Sequence, residues 1–126
     1  MIRKRVLLVD DVEQIRHFMA MFIGRSDDFE VVAEAESGQE AVDRAREVSP
    51  DVVLLDLNMP GRTGMDVLPE LRKMLPQAVI VVFSGFESVA IADKTKQLGA
   101  DAYVEKGTPA AELFDHIRAL LKESEL

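Results

Sequence analysis

The sequence contains a small set of polar residues that share one feature, which is that each follows a short apolar run. They are Asp10 and Asp11 after residues 6–9, Asp56 after residues 52–55, Ser84 after residues 79–83 and Lys106 after residues 102–104. Such runs are typical of buried β-strands. In a parallel sheet the carboxyl ends of the strands meet at one edge, so we expect these side chains to converge from distant parts of the chain.

The carboxylates in this set predict a divalent cation. Asp10, Asp11 and Asp56 would repel one another unless a positive charge joined them. Oxygen ligands suit a hard cation such as Mg²⁺, which keeps several waters and needs few protein ligands. The metal in turn favours the ionised carboxylates. We therefore expect a Mg²⁺ site at this edge of the sheet.

The other two groups predict a phosphoryl group as the ligand. Lys106 adds a fixed positive charge and Ser84 adds a hydroxyl donor, so the oxygens of a phosphoryl group would meet a metal, an ammonium and a hydroxyl. Asp56 is then the natural nucleophile, because its attack on phosphorus depends on positioning and charge neutralisation.

Each residue taken singly has a plainer interpretation. Asp10 or Asp11 could cap a helix. Asp56 and Ser84 could form turns, and Lys106 could be a solvated surface charge. Their occurrence together, in this order and on the ends of four predicted strands, favours the functional interpretation.

The elements that must position these residues alternate regularly along the chain. Three of the apolar runs are continuous and rich in Val, Ile and Leu, which is typical of strands covered on both faces. Strand–helix alternation predicts an α/β fold with a parallel sheet, and five strands fit a flavodoxin-like doubly wound order 2-1-3-4-5 with five helices. The predicted strands are Val6–Val9, Glu30–Ala33, Val52–Leu55, Val79–Phe83 and Ala102–Val104.

Capping residues and helical periodicity predict the helices between these strands. Gly24 is expected to end the first helix in a left-handed conformation. Ser37 and Glu40 form the pattern of a capping box, and Thr108 is expected to cap the last helix with Pro109 in its first turn. The predicted helices are Glu13–Ile23, one from Ser37, Gly64–Met74 with Pro69 inside it, about Ser88–Leu98 ending at Gly99, and one from Thr108.

Composition limits the class of protein. The 126 residues suit one domain over residues 1–126, there is no cysteine for a disulfide or thiolate site, and the net charge of −8 argues against direct nucleic-acid binding. No apolar run approaches the roughly 20 residues that cross a bilayer, and the apolar run that follows the basic residues 3–5 is too short for a signal peptide. We expect a cytoplasmic protein.

The sequence resembles the receiver domain of bacterial two-component response regulators of the chemotaxis-regulator type, and the resemblance covers essentially the whole chain. Each matching stretch is short, but together they are highly specific. The stretches are residues 6–11 (VLLVDD), 52–61 (VVLLDLNMPG), 82–85 (VFSG) and 102–106 (AYVEK).

This resemblance implies roles for the acidic residues. Asp56 would accept a phosphoryl group from a histidine kinase or a phosphotransfer protein. Asp11 would bind Mg²⁺ directly and Asp10 would assist through water. The backbone carbonyl of Asn58 would be a further metal ligand. The chain would act as a signalling domain that catalyses only its own phosphorylation and dephosphorylation, not as an enzyme.

The resemblance also implies a switch. Ser84 would bond a phosphoryl oxygen, Lys106 would pair with the phosphoryl group, and Tyr103 would turn inward as the hydroxyl moves. Phosphorylation would then change an output surface on the fourth helix, the fifth strand and the fifth helix. The fourth helix has few large apolar residues, which suits a mobile element. We name Val89, Ile91 and Leu98 as its anchors.

Two positions depart from the family pattern. Gly107 follows Lys106 where proline is usual, so we expect a trans bond between them, because a cis bond before a non-proline residue is costly. Phe86 stands two residues after Ser84, where the family controls hydrolysis of the acyl phosphate, and we expect it to shield that bond from water.

Several alternatives stay open or fit less well. Aspartate-nucleophile phosphatases have an Asp-x-Asp arrangement instead of adjacent acids, nucleotide-binding enzymes need glycine motifs that are absent here, and a flavin carrier needs donors in the first loop. A pseudo-receiver or an excised receiver fragment acting as a protein-interaction scaffold is a closer rival. A homodimer is compatible with the sequence, whereas the kinase, the output partner and the pathway are not predicted by it.

Overall fold

The computed structural model describes residues 2–85 and 89–125 as an alternating chain of five strands and five helices. Along this part of the chain no helix is both long enough and apolar enough to span a membrane. The elements are β1 (Lys4–Val9), α1 (Glu13–Gly24), β2 (Phe29–Ala35), α2 (Gly38–Val48), β3 (Val52–Leu55), α3 (Gly64–Met74), β4 (Val79–Ser84), α4 (Val89–Leu98), β5 (Ala102–Glu105) and α5 (Ala110–Ser124).

The strands form one sheet in the order β2-β1-β3-β4-β5, and every pairing is parallel. The predicted fold class and strand order are therefore confirmed. Because β1 and β3 are direct neighbours, the residues that follow them lie side by side. The sequence placed β3 correctly but made β2 too short, since the ladder with β1 begins at Phe29 and ends at Ala35.

The continuous apolar runs arise because the sheet is covered on both faces. Val53 and Leu55 of β3 belong to a buried cluster shared with α2 and α3, and Leu54 belongs to the cluster shared with α1 and α5. All four residues of β3 are at most 4% exposed. Burial of both faces fixes the register of β3, and so it fixes where Asp56 emerges.

Glycines allow the loop after β3 to lie close to neighbouring backbone. A Cβ at Gly64 would lie 2.0 Å from the carbonyl oxygen of Asp56, and a Cβ at Gly38 would lie 2.2 Å from that of Arg62. The amide of Gly64 also donates to the carbonyl of Leu57 at 3.2 Å. The start of α3 is thus packed directly against the backbone of Asp56, which leaves that residue little freedom.

The observed helix caps confirm the caps predicted from the sequence only in part. Ser37 caps α2, because its side chain accepts the amide of Glu40 at 3.2 Å. A complete capping box lies instead at α3, where Thr63 and Asp66 bond each other's amides. This second box was missed, although the spacing Thr-x-x-Asp resembles the favoured pattern.

Three local predictions are wrong. Gly24 does not end α1 in a left-handed conformation, because it is part of the helix and the following Arg25 stays right-handed. Thr108 is not the cap of α5, since the cap is Pro109, one residue later.

The third concerns α4. Val89 does not anchor this helix, because it is 80% exposed, whereas Ile91 and Leu98 pack on the core as expected. The predicted start of α4 at Ser88 lies outside the described residues.

Replacing Gly64 with alanine tests the close packing behind Asp56. We expect Gly64→Ala to lower the free energy of unfolding by roughly 1–3 kcal/mol, because the added methyl group collides with backbone that cannot move freely. Gly24→Ala is the matched control, since nothing lies within 4 Å of its Cβ position and it is helical. Urea denaturation followed by circular dichroism measures both, and equal stability of the two variants would contradict this account.

Candidate functional site

The carboxyl edge of the sheet gathers the predicted acids. The side chain of Asp56 is 3% exposed and that of Asp10 is 7% exposed, while Asp11 is exposed to solvent. One carboxylate oxygen from each of the three residues lies within 4.8 Å of the others. The convergence expected from the strand order is therefore present in the structure.

Backbone bonds from neighbouring strands hold the two buried acids. The amide of Asp56 donates to the carbonyl of Val9 at 2.9 Å, and the amide of Asp10 donates to Ala35 at 3.0 Å. The carboxylate of Asp10 accepts the amide of Val12 at 2.9 Å. The capping residue of α1 is Val12, without a side-chain bond, so neither Asp10 nor Asp11 serves as the cap that the plainer interpretation required.

Lys106 supplies the positive charge that faces these acids. Its ammonium nitrogen lies 2.8 Å from Asp10 Oδ2 and 3.3 Å from Asp56 Oδ2, and 23% of its side chain is exposed. Burial opposes the charged form, but the hydrogen bond and charge of Asp10, reinforced by Asp56, raise the pKa of Lys106. The ammonium therefore bridges two carboxylates that directly follow different strands, β1 and β3.

Burial and the neighbouring charges perturb the protonation of Asp56. Burial raises the pKa of the Asp56 carboxyl, and the negative charge of Asp10 adds to that rise. The amide of Asn58, which donates to Asp56 Oδ1 at 3.2 Å, and the ammonium of Lys106 act in the opposite direction without reversing it. A carboxylate held in this way is incompletely neutralised, and a divalent cation would stabilise it.

The predicted switch residues lie on the next two strands. Ser84 is fully buried at the end of β4, and its hydroxyl oxygen has no hydrogen-bond partner among the described residues. Tyr103 on β5 is partly buried against the core cluster shared with α2 and α3, and its hydroxyl oxygen is buried. A buried hydroxyl without a partner costs stability, so Ser84 is suited to an incoming oxygen atom.

The loop after β5 departs from the usual family pattern in the way expected. The bond between Lys106 and Gly107 is trans, as predicted, and Gly107 adopts a φ of 104°, which disfavours other residues. The amide of Lys106 donates to the carbonyl of Ser84 at 2.8 Å, which ties this loop to β4. The predicted shielding residue, Phe86, lies outside the described residues.

One residue that contacts the site was missed from the sequence. Arg16 on α1 donates from Nη1 to the carbonyl oxygen of Asp10 at 2.7 Å and from Nε to Glu34 Oε1 at 3.1 Å. Its position among helical residues gave no signal, because a charged residue on an amphipathic helix is ordinarily solvated. Only the crossing of α1 over β2 brings Arg16 to the loop after β1.

Comparison with known proteins agrees with this arrangement. Residues 6–118 match the family model of the response regulator receiver domain. The response regulator protein VraR of Staphylococcus epidermidis is 34% identical over 114 residues, which are 90% of this chain and 54% of that protein. This chain thus spans about half the length of the curated relatives it matches.

Solved structures give the same result. A LuxR-family two-component response regulator from Aurantimonas sp. SI85-9A1 superposes with a TM-score of 0.89 at 36% identity, covering 96% of this chain and 86% of that one. A response regulator from Burkholderia pseudomallei, solved with a phosphorylated aspartic acid, a calcium ion and citrate, has a TM-score of 0.82 at 26% identity, covering 88% and 64%. The chain belongs to the response regulator receiver domain family and is a receiver domain of two-component signalling.

Proposed function

We propose that Asp56 is the phosphoacceptor of this receiver domain and that its donor is the phosphohistidine of a histidine kinase or phosphotransfer protein. The observation that carries the proposal is the position of Asp56, whose buried carboxylate lies beside Lys106 and within 4.8 Å of two further carboxylates. The phosphorylated aspartic acid in the Burkholderia pseudomallei relative supports the same chemistry.

The transfer is a direct displacement at phosphorus. A carboxylate oxygen of Asp56 forms a bond to phosphorus while the phosphorus–nitrogen bond of the donor breaks, and the electron pair of that bond leaves with the imidazole. Little covalent assistance is needed, because such transfers depend on alignment and on neutralising the charge of the equatorial oxygens. Lys106 is close enough to neutralise part of this charge.

The acidic residues fit Mg²⁺ as the resident metal. Asp10, Asp11 and Asp56 offer only oxygen ligands, which is the donor set that this hard cation prefers, and the exposed Asp11 leaves room for its waters. The carbonyl of Asn58 is the further ligand that the family pattern implies. When bound, the metal supplies positive charge to the transferring phosphoryl group. Lys106 would have to release Asp10 in part as the metal binds.

Phosphorylation would act on the rest of the domain through Ser84 and Lys106. The added group carries a charge of about −1.5 to −2 and provides new acceptor oxygens. The buried hydroxyl of Ser84 gains a partner by moving toward it, and Tyr103 can follow into the space that Ser84 leaves. Because β5 also contacts α4, the population of α4 and β5 conformations shifts, and with it the surface that an output partner reads.

The anchoring of α4 is uneven, which favours movement of this element. Its C-terminal end is held because Arg72 donates to the carbonyl of Gly99 at 2.8 Å and pairs with Asp101 at 2.6 Å. At its other end Val89 is 80% exposed. The exposed Val89 adds little anchoring at this end, which favours a local shift of the helix at low cost in free energy.

Intact mass after incubation with acetyl phosphate and Mg²⁺ tests the proposal. We expect one added phosphoryl group on the wild type, no addition on Asp56→Asn, and no addition when EDTA is present from the start. If the wild type gains nothing from acetyl phosphate or from a phosphorylated histidine kinase, the pseudo-receiver scaffold is the better interpretation.

The raised pKa of Asp56 predicts a gain in stability on its removal. The folded protein keeps the Asp56 proton to higher pH than the unfolded chain does, so the ionised group costs stability above the raised pKa. Without Mg²⁺ at neutral pH, Asp56→Asn should melt a few degrees higher than the wild type. The difference should shrink as the pH falls through the raised pKa of Asp56. Thermal melts in EDTA at several pH values measure this, and a less stable variant would contradict it.

Tyr103 provides a specific signal for the switch, because the sequence has one tyrosine and no tryptophan. Phosphorylation with acetyl phosphate should change the tyrosine emission of the wild type. Ser84→Ala should still be phosphorylated, as measured by intact mass, but should lose most of this spectral change. Without the hydroxyl of residue 84, no movement is passed on to Tyr103. An unaltered spectral change in Ser84→Ala would show that Ser84 does not couple the two sites.

A further inference from the structure

Arg16 connects three elements around the candidate metal site. Arg16 belongs to α1. Its guanidinium donates one hydrogen bond to Glu34 of β2 and another to the carbonyl oxygen of Asp10, the residue after β1. Only 14% of the side chain is exposed, although Glu34 is 45% exposed. An arginine that is largely buried and bonds a backbone carbonyl at 2.7 Å is held in place, unlike a surface ion pair.

The bond to Asp10 fixes the short loop that carries both acids. Asp10 is held at its amide by Ala35, at its carboxylate by Val12 and Lys106, and at its carbonyl by Arg16. The carbonyl of Asp10 is part of the peptide that begins Asp11, so its orientation sets the direction in which Asp11 leaves the strand. Asp11 itself is exposed, so the orientation of this peptide is the main restriction on where its carboxylate can lie.

We infer that Arg16 is a positioning residue for the Mg²⁺ site, which acts by fixing the Asp10–Asp11 peptide and so limits where the two carboxylates can lie when the cation binds. The inference rests on the proposed function, because it takes Mg²⁺ as the metal of that site. Arg16 is a cation that donates to Glu34 and to a backbone carbonyl, so it is not itself one of the candidate ligands. Groups that orient ligands from outside a metal site typically change metal affinity by about 10–100-fold when removed.

Charge and position make opposite predictions for this residue. Arg16 is a cation near an acidic site, so if only its charge mattered, its removal would make Mg²⁺ bind more tightly, since one source of repulsion is lost. If Arg16 holds the peptide in place, its removal lets the ligands spread and Mg²⁺ binds more weakly. The direction of the change in Kd therefore separates the two roles.

The geometry also predicts that lysine cannot replace Arg16. The guanidinium donates along two directions from one planar group, to Glu34 from Nε and to Asp10 from Nη1. A lysine ammonium keeps the charge but lacks that fixed fork, so it can hold one partner well but not both in the same arrangement. Arg16→Lys should therefore weaken Mg²⁺ binding, although a role through charge alone would leave it unchanged.

Isothermal titration with MgCl₂ on the full chain tests the inference. We expect the Kd for Mg²⁺ to rise about 10-fold in Arg16→Met and to rise to a smaller extent in Arg16→Lys. Arg44→Met is the matched control, because it removes the same charge from α2, where Arg44 pairs, within the described part of the chain, with Glu47 on its own helix. Its Kd should equal that of the wild type. Melting in EDTA confirms that each variant is folded at the temperature of titration.

A second readout separates positioning from general damage to the fold. If Arg16 acts on metal affinity, raising Mg²⁺ to saturation should return the rate of phosphorylation of Arg16→Met by acetyl phosphate toward the wild-type rate. Failure of this rescue in a folded variant would overturn the inference, as would a Kd equal to or below that of the wild type.

Asp11→Asn tests the proposed function separately: Mg²⁺ binding that is unaffected by Asp11→Asn, or absent from the wild type, would overturn the metal site and the inference together.

Discussion

The mutual repulsion of Asp10, Asp11 and Asp56 is the constraint on which the functional edge of this domain depends. Their carboxylate oxygens lie within 4.8 Å of one another, and two of the three side chains are almost fully buried. Lys106 offsets this repulsion by bridging Asp10 and Asp56, but one ammonium cannot neutralise three acids. The site is therefore suited to additional positive charge, and with that charge present, to the negative charge of a phosphoryl group.

The rest of the fold keeps these groups together against their repulsion. Burial of both faces of the sheet fixes the ends of β1 and β3, and the backbone bond from Asp56 to Val9 joins those ends directly. Behind Asp56, the close approach of Gly64 prevents its carbonyl from moving away. A rigid, preorganised arrangement of this kind costs the domain stability, and under the proposed function it would allow transfer to a carboxylate with little covalent chemistry. Under the same proposal, the buried hydroxyl of Ser84 would carry the effect of phosphorylation to β5 and α4.

Features that depend on local sequence pattern were predicted correctly. Predictions were wrong or missing where contacts between distant elements determine the structure. The strand order and the convergence of the acids followed from the apolar runs and the residues at their ends, and the limits of α3 followed from helical periodicity. The end of α1 was wrong, because a right-handed Arg25 continues the turn where glycine was expected to stop it. Val89 was assigned to the core from its apolar side chain, but α4 turns it to solvent. Arg16 was missed because its partners lie on β2 and in the loop after β1. The spacing of residues along α1 gives no indication that the helix brings Arg16 to them.

The most direct test of the central claim is to identify which of the three carboxylates takes the phosphoryl group. Borohydride reduces an aspartyl phosphate to homoserine, so the acceptor can be trapped after exposure to Mg²⁺ and acetyl phosphate and located by peptide sequencing in a mass spectrometer. This account predicts conversion at position 56 alone, with Asp10 and Asp11 unchanged. Conversion at position 10 or 11, or an added phosphoryl group that leaves position 56 unconverted, would contradict it.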